Sequence, residues 1–515
     1  MADRYKVLDI FAGAGGLSLG FLQTGRFEIT AAFENNKAAQ ETYKINHTGT
    51  ILYNNVLEAD FDKLIQTHGH FDVIIGGPPC QGFSNANRQH NQLINMNNRL
   101  VKTYVEFINS LSPEAFLLEN VKMLGSKTHR FFYSVNDPEE VKTYGSFNSE
   151  DVLIYGGDFG IPFEKLIIND CVNWPNIKSE TRHHIALRTV KRRLNKGKIA
   201  DSEIKILFEL LESFCAIAPD PELTIPIRDF LQQTKDLQYP LDEMITVLNI
   251  IEALLRLEDI AENKIIVSSW KYDNSRLYLS INSYTVIDYL NHELEKEYIL
   301  NPEIPNAVDY GVPQNRERYI ILGIRRKYGR QIEFPRKSDM VTNVNDAIAD
   351  LYEVTPSENV EDTPVHSGSQ KYTGALQNLR DSKDIYNHII TKSTPIAMQR
   401  FANIKQGMNF HSLGQDQKKN YADPSRTQNS IYLRLDENQP SATVTNVRKA
   451  MWIHPIQDRA ISVREAARLQ SFPDSFRFSG TKDQQYQQVG NAVPPMLAKA
   501  LAESVVDALD SKPKP

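Results

Sequence analysis

The 515-residue sequence predicts an α/β fold in which a mixed, mostly parallel sheet is flanked by helices. Two observations indicate this fold. Over residues 1–125, short apolar segments of strand character alternate with segments of helical spacing, which is typical of a parallel sheet covered by helices. Several of these apolar segments also end at a glycine, a cysteine or a carboxylate, and sheets of this kind bind ligands beyond the carboxyl ends of their strands.

The segments that carry this alternation can be placed in order along the chain. Strands are predicted at residues 7–11, 27–33, 71–75, 115–118 and 319–324, with a shorter strand-like piece at 430–435. Apolar residues at helical spacing predict helices at 17–22, 201–217, 241–257 and 493–509. The predicted organisation is a sheet-forming part at 1–125, an inserted, largely helical subdomain at 126–280, a return to sheet at 281–335, a smaller polar domain at 336–483, and a C-terminal helix in 484–515 that returns to the sheet.

Composition and charge limit the class of protein. Hydrophobic residues make up 41% of the chain and charged residues 24%, as in an ordinary globular protein. No run of about eighteen apolar residues is present, so we expect no membrane span and a cytoplasmic location. The three cysteines are too few and too far apart for a disulfide framework or a zinc cluster. The net charge of −6 leaves nucleic acid open as a partner, because a DNA-binding protein needs a basic face and not a basic total.

A glycine-rich turn follows the first strand. It runs from Phe11 to Gly16 and opens a helix, while the next strand ends at Glu34. Glycines let a ligand approach the backbone closely, and a carboxylate at this position can bind both hydroxyls of a ribose. The turn therefore favours a nucleoside cofactor over a purely structural turn. It does not separate a dinucleotide from S-adenosylmethionine, although the dinucleotide pattern requires glycine where Ser18 stands.

The loop after the strand at 71–75 presents Cys80. Two glycines and two prolines, at 76–79, fix an otherwise strained backbone immediately before it. A cysteine presented in this way at a strand end is suited to nucleophilic catalysis. The alternative is a buried structural cysteine, which is the usual state of a free cysteine. We accept that alternative for Cys171 and Cys215, which lie in the insert, and not for Cys80.

Charged residues stand at two further strand ends. Glu119 closes the apolar strand at 115–118, so it is either a solvated strand terminus or a proton donor whose pKa is raised by burial. Arg316 and Arg318 precede the strand at 319–324, and alternate residues of a strand share a face. Paired arginines suit a polarised carbonyl oxygen or phosphates, although an isolated pair is ordinary surface charge in most proteins.

In this order, the glycine turn, the Cys80 loop, the Glu119 strand and the Arg316/Arg318 segment resemble the DNA cytosine-C5 methyltransferase family. Segments 309–313, 464–474 and 490–495 resemble the same family, and the resemblance covers residues 1–125, 283–330 and 440–505. It implies the Rossmann-like fold of S-adenosylmethionine-dependent methyltransferases, with a helical insertion and a smaller target-recognition domain at 336–483.

The resemblance also implies catalytic roles. Cys80 is expected to add to C6 of a flipped-out cytosine, so that C5 becomes electron-rich enough to accept a methyl group. Glu119 is expected to protonate or hydrogen-bond N3. Arg318 is expected near O2, with Arg316 supporting the same edge of the base. The implied enzyme is a sequence-specific DNA (cytosine-5-)-methyltransferase.

The implied cofactor is S-adenosyl-L-methionine, which leaves as S-adenosyl-L-homocysteine, and no metal is expected. The residues expected to line its site are Phe11, Gly13, Gly16, Leu17, Glu34, Asn55, Pro78, Asn491 and Val493. One of them departs from the family pattern, because Asn55 stands where an aspartate often meets the adenine amino group. An asparagine side-chain carbonyl can still accept that hydrogen bond.

Double-stranded DNA is the partner that the resemblance implies, and a monomer without membrane attachment is expected. Family habit adds a cognate restriction or defence-system protein as a candidate partner. The inserted subdomain departs from compact relatives, and DNA contact, protein contact and purely structural elaboration all stay open for it. Its basic run at 182–198 fits a solvated helix face and a phosphate-contacting surface equally well.

Three other functions stay open as alternatives. A tRNA cytosine-C5 methyltransferase shares the scaffold, but the long polar segment at 336–440 favours DNA. A catalytically inactive DNA-binding homologue is disfavoured because Cys80, Glu119, Arg316 and Arg318 are all present. A dinucleotide-dependent oxidoreductase would account for the glycine turn and would leave the Cys80 loop unexplained.

Overall fold

A computed structural model shows the chain as two compact units. The first, here the sheet unit, comprises Met1–Pro79, Leu100–Lys122 and Leu294–Pro515, and the second, the inserted unit, comprises Cys80–Arg99 and Met123–Glu293. The residues that the structure describes are 4–79, 96–126, 129–156, 161–175, 177–194, 201–233, 241–360, 363–366, 375–419, 421 and 423–511. Cys80, the predicted nucleophile, lies outside the described residues.

The strands are β1 (Tyr5–Ile10), β2 (Phe27–Phe33), β3 (Ile51–Tyr53), β4 (Val73–Gly76), β5 (Ala115–Val121), β6 (Arg130–Phe132), β7 (Asn148–Gly156), β8 (Ile167–Ile168), β9 (Cys171–Val172), β10 (Val267–Asp273), β11 (Arg276–Thr285), β12 (Tyr298–Glu303) and β13 (Arg318–Arg325). The α-helices are α1 (Gly16–Gln23), α2 (Lys37–Asn46), α3 (Phe61–His68), α4 (Met96–Leu111), α5 (Thr181–Arg193), α6 (Asp201–Ile217), α7 (Pro221–Gln233), α8 (Leu241–Glu262), α9 (Val286–Leu294), α10 (Val344–Ile348), α11 (Pro395–Asn403), α12 (Gln415–Lys418), α13 (Val447–Ala450), α14 (Val463–Leu469), α15 (Lys482–Asn491) and α16 (Pro495–Leu509).

The sheet unit is built on a seven-stranded sheet with the order β12-β13-β5-β4-β1-β2-β3. Strands β1 to β5 run parallel to one another, whereas β13 pairs antiparallel with both β5 and β12. This arrangement confirms the predicted mixed, mostly parallel sheet. Val7, Leu8 and Ile10 of β1 are completely buried, as expected of a parallel strand that is covered on both faces.

Helices α1 and α16 share one apolar core with this sheet. A Cβ on Gly20 of α1 would stand 2.4 Å from the Cβ of Ala498, so the close approach of the two helices requires glycine. The C-terminal helix was predicted from residue 493, and that start is wrong by two residues. The helix begins at Pro495, because proline is favoured in a first helical turn and disfavoured further inside.

The polar region at 336–483 contains α10 to α14 and is held by apolar side chains of its own, among them Phe401, Phe410 and Ile453. The strand predicted at 430–435 is wrong. Only Arg434 of that segment makes a strand-like bridge, to Ile453. Tyr432 has a φ of 52°, and this left-handed conformation interrupts an extended run.

The inserted unit combines helices with an antiparallel sheet. Helix α6 has the predicted bounds, and α8 extends to Glu262, beyond the predicted end at residue 257. Strands β6, β7 and β10 all pair antiparallel with β11, and the sequence analysis predicted none of the four. A single apolar core joins Leu211 of α6 to Ile251 of α8 and Leu279 of β11. Among the helices of the described ranges, none has the length and apolar character needed to cross a membrane.

Candidate active site

The glycine turn leaves the end of β1 in an unusual backbone conformation. Phe11, Gly13 and Gly15 have φ values of 65°, 57° and 93°, so alternate residues are left-handed. Such a conformation is strained for Phe11 and natural for glycine. A Cβ placed on Gly13 would meet no atom within 4 Å, so open space lies in front of the turn. A ligand can therefore approach this backbone closely.

Glu34 links the turn to the end of β2. Its carboxylate accepts a hydrogen bond from the Gly13 amide at 2.8 Å and another from the Asn36 amide at 2.7 Å. Burial raises the pKa of Glu34, and these main-chain donors act in the opposite direction. Each carboxylate oxygen keeps a further lone pair, so Glu34 can still accept hydrogen bonds from a ribose diol.

A buried polar cluster lies beneath the turn, and the sequence analysis missed it. The Ser18 hydroxyl donates to Asp9 Oδ2 at 2.6 Å and lies 2.8 Å from the Tyr43 hydroxyl. Burial raises the pKa of Asp9 to about 7. Ser18, which stands where the dinucleotide pattern has its third glycine, thus connects α1 to β1. The signal was an acidic residue in the middle of an otherwise apolar strand.

The C-terminal part of the chain reaches the turn at Gly16. A Cβ on Gly16 would stand 2.5 Å from the Val493 carbonyl oxygen and 3.0 Å from the Phe472 ring. The structure therefore brings Gly16 and Val493 together, with Leu17 buried beside them. Asn491 is exposed, and its side-chain oxygen accepts a hydrogen bond from Gln487 at 2.7 Å.

Glu119 and Arg318 form an ion pair on adjacent strands. Strand β13 pairs with β5, with Arg318 opposite Val121 and Ile320 opposite Glu119. The Arg318 Nε lies 2.8 Å from Glu119 Oε1, and about an eighth of each side chain is exposed. Burial lowers the pKa of Arg318, and the Glu119 carboxylate opposes that shift. The Glu119 carboxylate is therefore held in place beside the Arg318 guanidinium and is largely shielded from water.

The loop that leads to Cys80 passes directly over Glu119. A Cβ on Gly77 would stand 2.7 Å from Glu119 Oε2, so a larger residue there would displace the carboxylate. The buried Asn120 side chain donates to the Pro78 carbonyl at 3.0 Å. The loop is therefore fastened to β5 two residues before Cys80. Sequence reasoning missed Asn120, whose position beside Glu119 was the available signal.

Arg316 points to different partners from Arg318. Its guanidinium is fully buried and donates to the Val444 and Gly490 carbonyls, each at 2.9 Å. Burial lowers the pKa of Arg316 well below its usual value. Gln314 shares this orientation, since its side chain bonds Gln470 at 2.9 Å and the Val444 amide at 2.7 Å. The hydrogen bonds of Arg316 thus join distant segments of backbone, and its support of the same edge of the base as Arg318 stays a prediction.

Asn55 caps the 3₁₀ helix Val56–Glu58. Its side-chain oxygen accepts from the Leu57 amide at 3.1 Å, and its amide donates to Glu58 at 2.7 Å. The oxygen keeps one lone pair for a cofactor. Adenine contact by Asn55 stays a prediction.

Three of the seven Lys and Arg residues in the basic run of the inserted unit pair with acids of the same unit. Arg182 pairs with Glu209 at 3.0 Å, Arg193 pairs with Glu203 at 2.9 Å, and Lys191 pairs with Glu252. Residues 123–293 contain 26 acidic and 19 basic residues. Both facts favour a solvated, internally paired helix face over a phosphate-contacting surface.

The mixed, mostly parallel sheet, with the glycine turn, Glu34 and the Glu119–Arg318 pair near the ends of its strands, is the architecture of a Rossmann-like enzyme. The family model for C-5 cytosine-specific DNA methylases matches residues 5–163 and 274–507. The chain belongs to this family and is a DNA (cytosine-5-)-methyltransferase. The family uses S-adenosylmethionine and acts on DNA. The unmatched residues 164–273 include α5 to α8 and β10.

Relatives match over nearly the whole chain. The Type II methyltransferase M.DdeI of Desulfomicrobium norvegicum is 24% identical over 97% of this chain and 88% of its own length. The DNA (cytosine-5-)-methyltransferase M.ApeKI of Aeropyrum pernix is 27% identical over 99% of this chain and 100% of its own length. A solved structure of a prophage-encoded E. coli protein, described as a DNA modification methyltransferase, superposes with a TM-score of 0.57 at 19% identity, covering 98% of this chain and 99% of the other. That superposition supports the fold.

Proposed function

We propose that this enzyme methylates C5 of a flipped-out cytosine within one short DNA sequence, by covalent addition of Cys80 to C6. The observation that carries the proposal is the Glu119–Arg318 pair at 2.8 Å beneath the loop that leads to Cys80. Glu119 is the acid at N3 of the base. Cys80 is the nucleophile, as the family resemblance implies.

The reaction passes through a covalent adduct between Cys80 and the base. The Cys80 thiolate forms a bond to C6, while Glu119 donates a proton or a hydrogen bond to N3, so the ring electrons move to C5. C5 takes the methyl group, which would leave S-adenosylhomocysteine as the second product, and then loses its proton to a base. The electrons of that C–H bond re-form the C5–C6 double bond, the Cys80 thiolate leaves, and N3 returns any proton it received to Glu119.

Arg318 orients the acid and adds donors at the edge of the base. A guanidinium carries five N–H groups. Arg318 uses one toward Glu119 and another toward the Glu317 carbonyl at 2.8 Å. The remaining N–H groups are available for O2 of the cytosine, where negative charge develops as C6 is attacked.

The residues of the glycine turn fit S-adenosylmethionine, which supplies the methyl group when it is bound. The open space at Gly13 admits the ligand against the backbone, and Glu34 accepts from the ribose hydroxyls. Phe11, Gly16 and Leu17 line the methionine side, with Val493 beside Gly16. Asn55, Pro78 and Asn491 complete the proposed set.

Double-stranded DNA is the proposed substrate, and the region at 336–483 is the proposed reader of its sequence. Duplex DNA must release the cytosine from its stack before Cys80 can reach C6, at a cost of a few kcal/mol. Relatives such as M.DdeI are named Type II methyltransferases, so we propose that the enzyme protects DNA in a restriction-modification or defence system. A cognate nuclease or defence protein is the corresponding proposed partner.

The test is a methylation map. Wild type, Cys80→Ser and Cys171→Ser are expressed in a host that lacks cytosine methylation, and 5-methylcytosine is located at base resolution. We expect methylation at one short motif with wild type and Cys171→Ser, and none with Cys80→Ser. Cys171 is a matched control because it is a free cysteine in the inserted unit.

Two results would contradict the proposal. Methylation retained by Cys80→Ser would exclude the covalent step through this residue. A folded wild type that binds cofactor and methylates no DNA would exclude DNA as the substrate, and tRNA would be assayed next.

A further inference from the structure

The segment between α14 and α15 is held by two asparagine side chains, one for each of two consecutive residues. Asn46 donates to the Arg477 carbonyl at 2.8 Å and accepts from the Arg477 amide at 2.9 Å. Asn387 donates to the Phe478 carbonyl at 2.8 Å and accepts from the Phe478 amide at 2.9 Å. Each side chain thus satisfies both main-chain groups of one residue, as a neighbouring strand would.

The two asparagines come from different parts of the sheet unit. Asn46 is the last residue of α2, the helix that follows Glu34. Asn387 lies in the proposed recognition region, is buried, and has a left-handed φ of 63°. Asparagine tolerates that conformation better than most residues. The segment at 476–479 therefore joins the cofactor side of the unit to its recognition side.

On the cofactor side, the next residue after Asn46 contacts the glycine turn. A Cβ on Gly15 would stand 2.1 Å from His47 Nε2, so the imidazole fills the space behind the turn. The same ring meets Phe476 edge-on, with centroids 6.1 Å apart. Burial lowers the pKa of His47 to about 4, so the ring is neutral. A second hydrogen bond between α2 and this segment comes from Thr42, whose hydroxyl accepts from the Ser479 amide at 2.8 Å.

On the recognition side, residues 387–389 are fastened to the start of α14. The Arg464 amide donates to the Asn387 carbonyl, and the Val463 amide donates to the Ile389 carbonyl, each at 3.0 Å. The His388 ring lies 3.0 Å from the Ser462 hydroxyl. A shift of Asn387 would therefore move the junction between the recognition region and α14.

We propose that Asn46 and Asn387 are positioning residues of the methyltransferase reaction, one for the cofactor and one for DNA. Asn46 fixes the end of α2, and hence His47, behind Gly15 of the cofactor turn. Asn387 fixes the recognition region to the same segment. Neither residue touches the reacting atoms. This inference rests on the proposed function, because it takes the turn as the S-adenosylmethionine site and 336–483 as the DNA reader.

The test separates the two ligands. S-adenosylmethionine is titrated calorimetrically without DNA, and binding of a fluorescent duplex that carries the mapped methylation motif is measured separately. Asn46→Ala leaves the Arg477 main chain without its partners, and we expect the cofactor dissociation constant to rise about tenfold with DNA affinity nearly unchanged. Asn387→Ala is expected to show the reverse pattern, with about a tenfold loss of DNA affinity.

Conservative variants and a control guard against loss of folding. Asn46→Asp and Asn387→Asp keep the acceptor for the main-chain amide and lose the donor, so each effect should be intermediate. Asn263→Ala is the matched control. Asn263 donates to the carbonyl four residues earlier at 2.7 Å, as Asn46 does to Thr42, but it lies in the inserted unit. Both dissociation constants should be unchanged by it.

A merely structural role gives a different result. If Asn46→Ala and Asn387→Ala change both constants by the same factor, or lower only the thermal midpoint, the proposal is overturned. The cofactor titration requires no methylation. A wild type that binds S-adenosylmethionine and methylates no DNA would therefore defeat the proposed function and the Asn387 half of this proposal, while the cofactor constants of Asn46→Ala and Asn263→Ala would still decide the Asn46 half.

Discussion

Each of the two units of this enzyme is stabilised by its own kind of core. Among the described residues, 26 buried polar or charged side chains lie in the sheet unit and 6 in the inserted unit. In the inserted unit, an apolar cluster joins α6, α8 and β11. The buried arginines of the described residues all lie in the sheet unit, and they are Arg316, Arg400, Arg434, Arg464 and Arg468.

Those arginines bond main-chain carbonyls from distant parts of the sequence. Arg316 joins residues 444 and 490, and Arg464 donates to the Pro473 carbonyl at 2.8 Å and to the Tyr386 carbonyl at 2.9 Å. A buried guanidinium is costly unless its donors are satisfied, so each one fixes the geometry around it. Arg316 and Arg318, two positions apart, differ in this respect, because Arg316 donates to main-chain carbonyls whereas Arg318 pairs with the Glu119 carboxylate.

The largest expected effect is on catalysis, from Glu119→Gln. Glutamine keeps the shape of the side chain and cannot transfer a proton to N3, so we expect kcat to fall by about 10²–10⁴-fold. Cofactor affinity should stay within about twofold of wild type, because Glu119 is not part of the glycine turn. The measurement is steady-state methyl transfer from radiolabelled cofactor, together with calorimetric titration.

A buried carboxyl of the inserted unit is the control for this substitution. Glu258 is buried, accepts from the Ser179 amide at 2.7 Å, and has a pKa that burial raises. Glu258→Gln should leave kcat unchanged. Equal losses of kcat in the two variants would mean that Glu119→Gln lowers activity by disturbing the fold. The buried carboxyls of the two units would then not differ in function.

The contrast also explains what could be predicted from the sequence. The alternation of apolar segments predicted the sheet and helix α6, because apolar periodicity reports which side faces a core. The order of the motifs pointed to Glu119, Arg318 and Glu34, and the structure places each of them within two residues of a strand end. Periodicity could not predict the partners of Arg316 or the Asp9–Ser18–Tyr43 cluster. Those contacts join residues far apart in sequence, and the identity of a polar residue does not indicate which group it will hydrogen-bond.

Strand β10 of the inserted unit was missed for a related reason, whereas β11 does alternate, with Leu277, Leu279 and Ile281 buried, and that signal was overlooked. Residues of β10 after Val267 are exposed, so the strand has no apolar alternation. Its pairing with β11 supplies the main-chain hydrogen bonds instead. A strand is predicted from the alternating apolar residues of its buried face. An edge strand whose side chains are exposed lacks that alternation and is not predicted.

A smaller effect, confined to stability, is expected from Leu211→Ala. Leu211 is completely buried in the apolar core of the inserted unit, so truncation should cost about 2–5 kcal/mol of unfolding free energy. S-adenosylmethionine affinity at 20 °C should not change, because the glycine turn belongs to the sheet unit. Calorimetric unfolding and cofactor titration together measure both quantities. A loss of cofactor affinity equal to the loss of stability would show that the two cores are not energetically separate.

The smallest expected effect is the change in unfolding free energy that the titration of Asp9 causes at each step of pH. Burial raises the pKa of Asp9 from 3.8 to about 7, so between these values the folded protein binds a proton that the unfolded chain has released. Stability from this group is fully present below the lower value. It is lost as the pH rises toward about 7, by at most about 1.4 kcal/mol per pH unit, and is constant above.

Asp9→Asn removes this proton equilibrium while its side-chain oxygen can still accept from Ser18. Relative to the variant, wild type should therefore become progressively less stable between pH 5 and pH 7, and the difference should level off above pH 7. Urea unfolding of both proteins at half-unit steps of pH measures that difference directly. Parallel stability curves would mean that Asp9 is ionised in the folded state at pH 5. The Ser18 hydroxyl would then be bonding a buried carboxylate, and the polar core beneath the cofactor turn would carry a permanent negative charge.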